Sequence, residues 1–157
     1  MSKKHITENS TIEQLEGNNW GAPANQSHLI TECHRLRRVP LRDFTVENLR
    51  IMIGQDIGLP FLMPLAIAKL REDPLVEGMH FPGDLMCAVL RVGHEFWARE
   101  ATMRTELEVL ANKALSLIAP EEKTVTRALN EALSEFLNAP QESNNAFNAR
   151  RGKATRR

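Results

Sequence analysis

Apolar residues along this 157-residue chain recur at intervals of three and four, and no stretch alternates apolar with polar over the length of a strand. The pattern therefore predicts helices throughout. A first short helix is expected just after Ser10, because Ser10 and Glu13 have capping-box spacing, Ile12 and Leu15 supply an apolar edge, and Gly17 ends the turn. Residues 18–27, with Gly21 and Pro23, read as loop. Trp20 lies in that loop and reads first as a large side chain pinning irregular backbone to the core, second as an exposed binding anchor.

Leu29, Cys33 and Leu36 recur at i, i+4 and i+7 and predict a second helix over 27–37, whose basic end, Arg35, Arg37 and Arg38, complements the helix C-terminus before Pro40 stops it. A third helix begins at Thr45, carries Leu49, Met52 and Ile53, and breaks at Gly58. The fourth, 60–72, is almost uniformly apolar through Leu62, Leu65, Ala66 and Leu70, so it reads as the buried central helix; Pro64 falls about one turn in, where a missing N–H removes little. After a loop over 75–82, a helix from 83 or 84 to 92 should bury Leu85, Ala88, Val89 and Val92, with Gly93 a break or a close crossing. Residues 94–118 read as one long helix facing Phe96, Met103, Leu107, Leu110 and Ala114 inward. A last amphipathic helix over 120–137 carries Val125, Leu129, Leu133 and Phe136. The sum is an all-α fold, a single compact domain of about seven helices over 10–138, between a disordered segment 1–9 and a flexible basic tail 139–157.

Composition narrows the class. No run approaches the roughly 20 apolar residues of a membrane span, and the polar start from Met1 to Glu8 is unlike a signal core, which points to the cytoplasm. Cys33 and Cys87 lie apart in apolar-periodic segments and read as reduced core residues. The net charge of zero hides an asymmetry: five of the 20 basic residues fall in the last eight positions, where there are no acids, so residues 1–149 carry a net charge of −5. A basic tail can hold nucleic acid through phosphate contacts, or it can simply be solvated.

No motif in the chain carries the spacing of a chemical site. His94-Glu95 is not followed by the second histidine of a zinc-protease helix. His80, Cys87 and His94 stand seven apart, but seven helical residues rise about 10.5 Å, too far to share an ion whose ligands lie about 2 Å away. Neither Gly54 to Gly58 nor Gly78 to Gly83 has the glycine and lysine spacing of a phosphate loop, and the Pro60-Phe61-Leu62-Met63 start of the fourth helix offers nothing to read bases. No catalytic residue, cofactor or metal is therefore assigned. The chain reads as a binding protein.

Cys33-His34-x-Leu36-Arg37, Pro40-Leu41-x-x-Phe44-Thr45-x-Glu47-x-Leu49-Arg50, Ile53-Gly54-Gln55-x-Ile57-Gly58-Leu59, Pro64-Leu65-Ala66 and Pro82-Gly83-Asp84-Leu85 form an ordered series over about residues 10–97. The series resembles a family of contact-dependent growth inhibition immunity proteins. That resemblance implies a bacterial cytoplasmic protein that binds the C-terminal toxin domain of its cognate effector as a heterodimer and blocks it, the toxin in many cases being a nuclease and in some a ribonuclease. It implies no membrane, small-molecule substrate or direct nucleic-acid contact, and it brings no catalytic residues.

An acidic body suits a basic nuclease surface, through both steering and complementarity. The candidate toxin-binding surface is the loop where acids flank apolar groups: Glu72, Asp73, Glu77 and Asp84 with Met79, His80 and Phe81. Glu121, Glu122, Glu131 and Glu135 on the last helix form a rival acidic strip. The competing functions are a nucleic-acid-associated regulator, using Arg150 to Arg157 with Arg35, Arg37, Arg38 and Arg42, and a small enzyme built on Cys33, Cys87 and His94.

Overall fold

The computed structural model describes residues 5–24 and 27–139, which hold eight α-helices, one 3-10 turn and no strand. The helices are α1 (Ile12–Glu16), α2 (His28–Leu36), α3 (Val46–Gly54), α4 (Leu59–Glu72), α5 (Asp84–Leu90), α6 (His94–Arg99), α7 (Ala101–Leu117) and α8 (Lys123–Asn138), with the 3-10 turn at Leu41–Asp43 between α2 and α3. One core runs through all of them, so the chain is a single all-α domain. The expected tail lies outside the described residues from 140 onward.

Capping explains where the early helices start. Thr11 and Gln14 close a capping box on α1, one residue later than the Ser10 spacing predicts, and Thr45 with Asn48 does the same on α3. Ser10 instead belongs to a preceding turn: its carbonyl accepts from the Leu41 N–H at 2.9 Å, and that of Glu8 accepts from Arg42 at 3.0 Å. Residues 8–10 are thereby laced to the 3-10 turn, although the pattern placed the start of structure at residue 10.

Helix α4 is central. Leu62, Met63, Ala66, Ile67 and Leu70 are buried, and the helix runs unbroken through Pro64. Gly58 precedes it with a left-handed φ of 66°, and a Cβ there would meet the Cδ1 of Ile12 at 2.9 Å, so this glycine admits α1 onto the core. Gly54 and Gly93 have no such neighbour and mark helix ends rather than close crossings.

Two apolar assignments change. Leu29 is 41% exposed, because the covered part of α2 is its second half, where Cys33 and Leu36 are buried. The expected long helix 94–118 is broken at Glu100, whose φ of −119° and ψ of 51° are not helical. The break turns Trp97 rather than Phe96 fully into the core, edge-on to Phe136 of α8 with ring centroids 5.6 Å apart.

Candidate functional site

The loop between α4 and α5 is held from below by two carboxylates. Asp84, the first residue of α5, is only 4% exposed; its Oδ1 accepts from the Gly78 N–H at 2.7 Å and its Oδ2 from the His80 N–H at 3.1 Å. Between them, the Met79 N–H donates to Oε2 of Glu47, on the first turn of α3, at 3.1 Å. Three successive backbone donors are thus satisfied by acids from two helices. Arg50 braces both: it donates to Glu47 from Nε and Nη2 at 2.7 Å each, and its Nε lies 3.9 Å from Asp84.

The geometry leaves no room for a side chain at residue 78. A Cβ on Gly78 would stand 2.5 Å from Glu47 Oε2 and 3.0 Å from Asp84 Oδ2. Further bonds close the loop, with Gly83 N–H donating to Leu75, Leu75 N–H to the Asp73 carboxylate, and a bridge pairing Glu77 with Pro82. The Arg50 guanidinium holds the Glu47 carboxyl below its usual range, with the Met79 N–H and nearby His80 acting the same way against the cost of burial. The contribution of Glu47 to the loop is therefore present above the ordinary carboxylate range and lost only as pH falls through that lowered value.

What this scaffold presents is an apolar tip. Met79 is 77% exposed, the most exposed large apolar side chain among the described residues. Glu72, Asp73 and Glu77 lie exposed in the same segment and make no ion pair among the described residues, whereas neighbouring Arg71 is committed to Glu106 of α7. Of the candidate residues, Glu72, Asp73, Glu77, Met79 and His80 remain on the surface. Asp84 does not: it is buried and saturated by the loop's own amides, so it shapes the surface and cannot face a partner's cation. Glu47, Arg50 and Gly78 were not singled out as site residues, although Glu47, Arg50 and Asp84 all belong to the two motifs Phe44-Thr45-x-Glu47-x-Leu49-Arg50 and Pro82-Gly83-Asp84-Leu85.

The rival features are less available. Of the rival acids, Glu131 and Glu135 lie on α8 and pair with Arg127 at 3.8 Å and Arg91 at 3.7 Å, while Glu121 and Glu122 fall in the turn just before that helix rather than on it. Arg37 is 1% exposed, bonded to Glu16 and the Asn18 carbonyl and lying under Trp20 with its guanidinium 4.1 Å from the ring centroid. Trp20 therefore pins its loop, edge-on to His34. Arg35 pairs with Glu32, Arg38 with Glu13 and Arg42 with Asp43, so these arginines are matched by acids rather than forming an open phosphate site. Arg35 and Arg38 border a shallow, mainly apolar hollow of about 570 Å³ beside Gly21 and Pro23. The basic run Arg150 to Arg157 lies outside the described residues.

Cys33 and Cys87 are buried and burial pushes both thiols up, Cys87 to about 11, whereas a nucleophilic cysteine needs a depressed value. His94 is exposed at the start of α6. Among the described residues, no three His, Cys, Asp or Glu side chains converge to suit a metal ion, and no helix is long and apolar enough to cross a membrane. Native protein at neutral pH is expected to alkylate far more slowly with iodoacetamide than the denatured chain; equal rates would show an accessible thiolate.

A family model described as CDI immunity proteins matches residues 14–107, more than half of the chain, and this span takes in α3, α4, the clamped loop and α5. No curated protein and no solved structure matches.

Proposed function

This chain belongs to the CDI immunity proteins, and on that premise we propose that it binds and neutralises the C-terminal toxin domain of a contact-dependent growth inhibition effector through the surface of Glu72, Asp73, Glu77, Met79 and His80. The observation that carries the choice of surface is an exposed apolar tip, on a loop whose backbone is already held, beside exposed carboxylates that make no ion pair among the described residues. The toxin domain is taken to be a nuclease acting in the bacterial cytoplasm, and its substrate surface is then rich in Lys and Arg. Glu72, Asp73 and Glu77 face those cations, Met79 packs into an apolar recess between them, and the bound protein excludes the toxin's nucleic-acid substrate. The complex is a heterodimer burying about 800 Å² on each partner, the usual size for a specific pair.

Joint replacement Glu72→Lys, Asp73→Lys and Glu77→Lys tests the surface. Association with the cognate toxin domain, followed by stopped flow at increasing salt, should slow by about tenfold or more at low ionic strength and lose most of its salt dependence, because exposed charges act chiefly on encounter. Circular dichroism should show the helical fold retained, since none of the three makes an ion pair among the described residues; Asp73→Asn with the two glutamate reversals controls for the Leu75 N–H bond that the Asp73 carboxylate accepts. Unchanged association at every salt concentration would move the toxin surface elsewhere, with the Glu121 and Glu122 end of α8 next in line.

A further inference from the structure

We propose that Glu47, steadied by Arg50 and acting together with buried Asp84, is a positioning residue that holds the 77–82 loop in its partner-ready form before the partner arrives. The inference rests on the reading above that this loop meets the toxin. Its own basis is separate: three consecutive N–H groups, of Gly78, Met79 and His80, point into the protein at carboxylates, at 2.7, 3.1 and 3.1 Å.

A loop tip ordinarily leaves its amides to water and samples many conformations, and a partner must then freeze it at an entropic cost. Here the backbone is turned inward and its donors are consumed, so the side chain of Met79 is projected outward from a fixed base. The charge-assisted character of the bonds matters, because an ionised acceptor binds an N–H more strongly than a neutral one. Arg50 keeps Glu47 ionised and oriented; without that brace Glu47 would be free to follow solvent. Gly78 completes the device, since any other residue there would occupy the space of the two carboxylates.

The clamp is therefore built for presentation. It touches no partner itself: Glu47 lies beneath the tip, partly buried, with Arg50 and the Met79 amide occupying its oxygens. Specificity for a toxin surface then resides in a rigid outline of one apolar knob among acids, and the residues that set the outline are not those that make contact.

The test combines backbone exchange with binding, on the whole chain. In Glu47→Ala, amide hydrogen exchange of Met79 in the free protein should accelerate strongly while the α4 core amides stay protected. Affinity for the purified cognate toxin domain should fall about ten- to a hundredfold, equivalent to ordering one or two backbone residues on binding. Glu47→Gln keeps an acceptor oxygen and should recover part of both losses. Unchanged exchange at Met79 would show that Glu47 does not hold the loop. Faster exchange with unaltered affinity, in a protein whose Met79→Ala variant binds weakly, would show that the hold is not used in binding; either result overturns the proposal. If Met79→Ala also binds normally, the surface assigned above is wrong, and the positioning role falls with it whatever the exchange shows.

Discussion

Asp84→Ala is expected to destabilise the protein by about 3 kcal/mol and to lower Tm by roughly 6 to 12 °C, although the side chain removed is polar and sits at the start of a short helix. Two charge-assisted hydrogen bonds disappear together, from Gly78 and His80, and these backbone donors are left facing a half-buried space with no acceptor. Arg50 also loses one of its two carboxylate neighbours. The loop that carries Met79 should then open, so toxin binding weakens along with stability. Thermal unfolding followed by circular dichroism provides the check. A Tm within about 2 °C of the parent would mean that water replaces the carboxylate without cost, and that Asp84 is not the foundation of the loop.

Trp97→Ala should cost more, about 3 to 5 kcal/mol, the range for deleting a large aromatic side chain from a packed core. Trp97 is 3% exposed and joins Phe96, at a centroid distance of 5.0 Å, to Phe136 of α8, so its loss detaches α6 from the last helix. A second variant separates packing from polarity. The indole Nε1 is buried with no hydrogen-bond partner among the described residues, so Trp97→Phe removes an unsatisfied donor as well as some volume. It should therefore be much milder than Trp97→Ala. Equal losses in the two variants, measured by urea unfolding, would mean that the indole has a partner whose removal dominates.

These two positions also show what a sequence pattern can and cannot carry. The buried faces of α4, α7 and α8 are legible because a helix that covers a core must place Leu62, Leu70, Leu107, Leu129 or Phe136 at three- and four-residue intervals. The break at Glu100 is not legible: no glycine or proline marks it, and the contact that accompanies the bent path, Trp97 against Phe136, joins residues far apart in sequence. Leu29 obeys the helical spacing yet lies outside the covered half of α2.

The candidate surface divides in the same way. Its exposed acids and Met79 stand out from composition alone. Asp84 looks like one more of them until the chain folds back and two loop amides claim its oxygens, an arrangement that depends on closure of the loop rather than on any local spacing. Glu47 and Arg50 lie about 30 residues upstream of the loop, on another helix, where they pair with each other at i, i+3. Their second task appears only when α3 and α5 are side by side. Arg35, Arg37 and Arg38, at and just beyond the end of α2, show the reverse case, in which a basic run that suggests nucleic acid proves to be matched, acid by acid, with Glu32, Glu16 and Glu13.

The loop at Met79 is the proposed toxin-facing surface of this member of the CDI immunity proteins. Hydroxyl-radical footprinting of the free protein and of its complex with the cognate toxin domain tests it most directly, because a thioether is readily oxidised and Met79 is the most exposed methionine among the described residues. Met79 should be oxidised rapidly in the free chain and strongly protected in the complex, with carboxyl labelling of Glu72, Asp73 and Glu77 reduced and that of Glu121 and Glu122 unchanged. Equal oxidation of Met79 in both states, with protection shifted to Glu121 and Glu122, would place the toxin surface elsewhere.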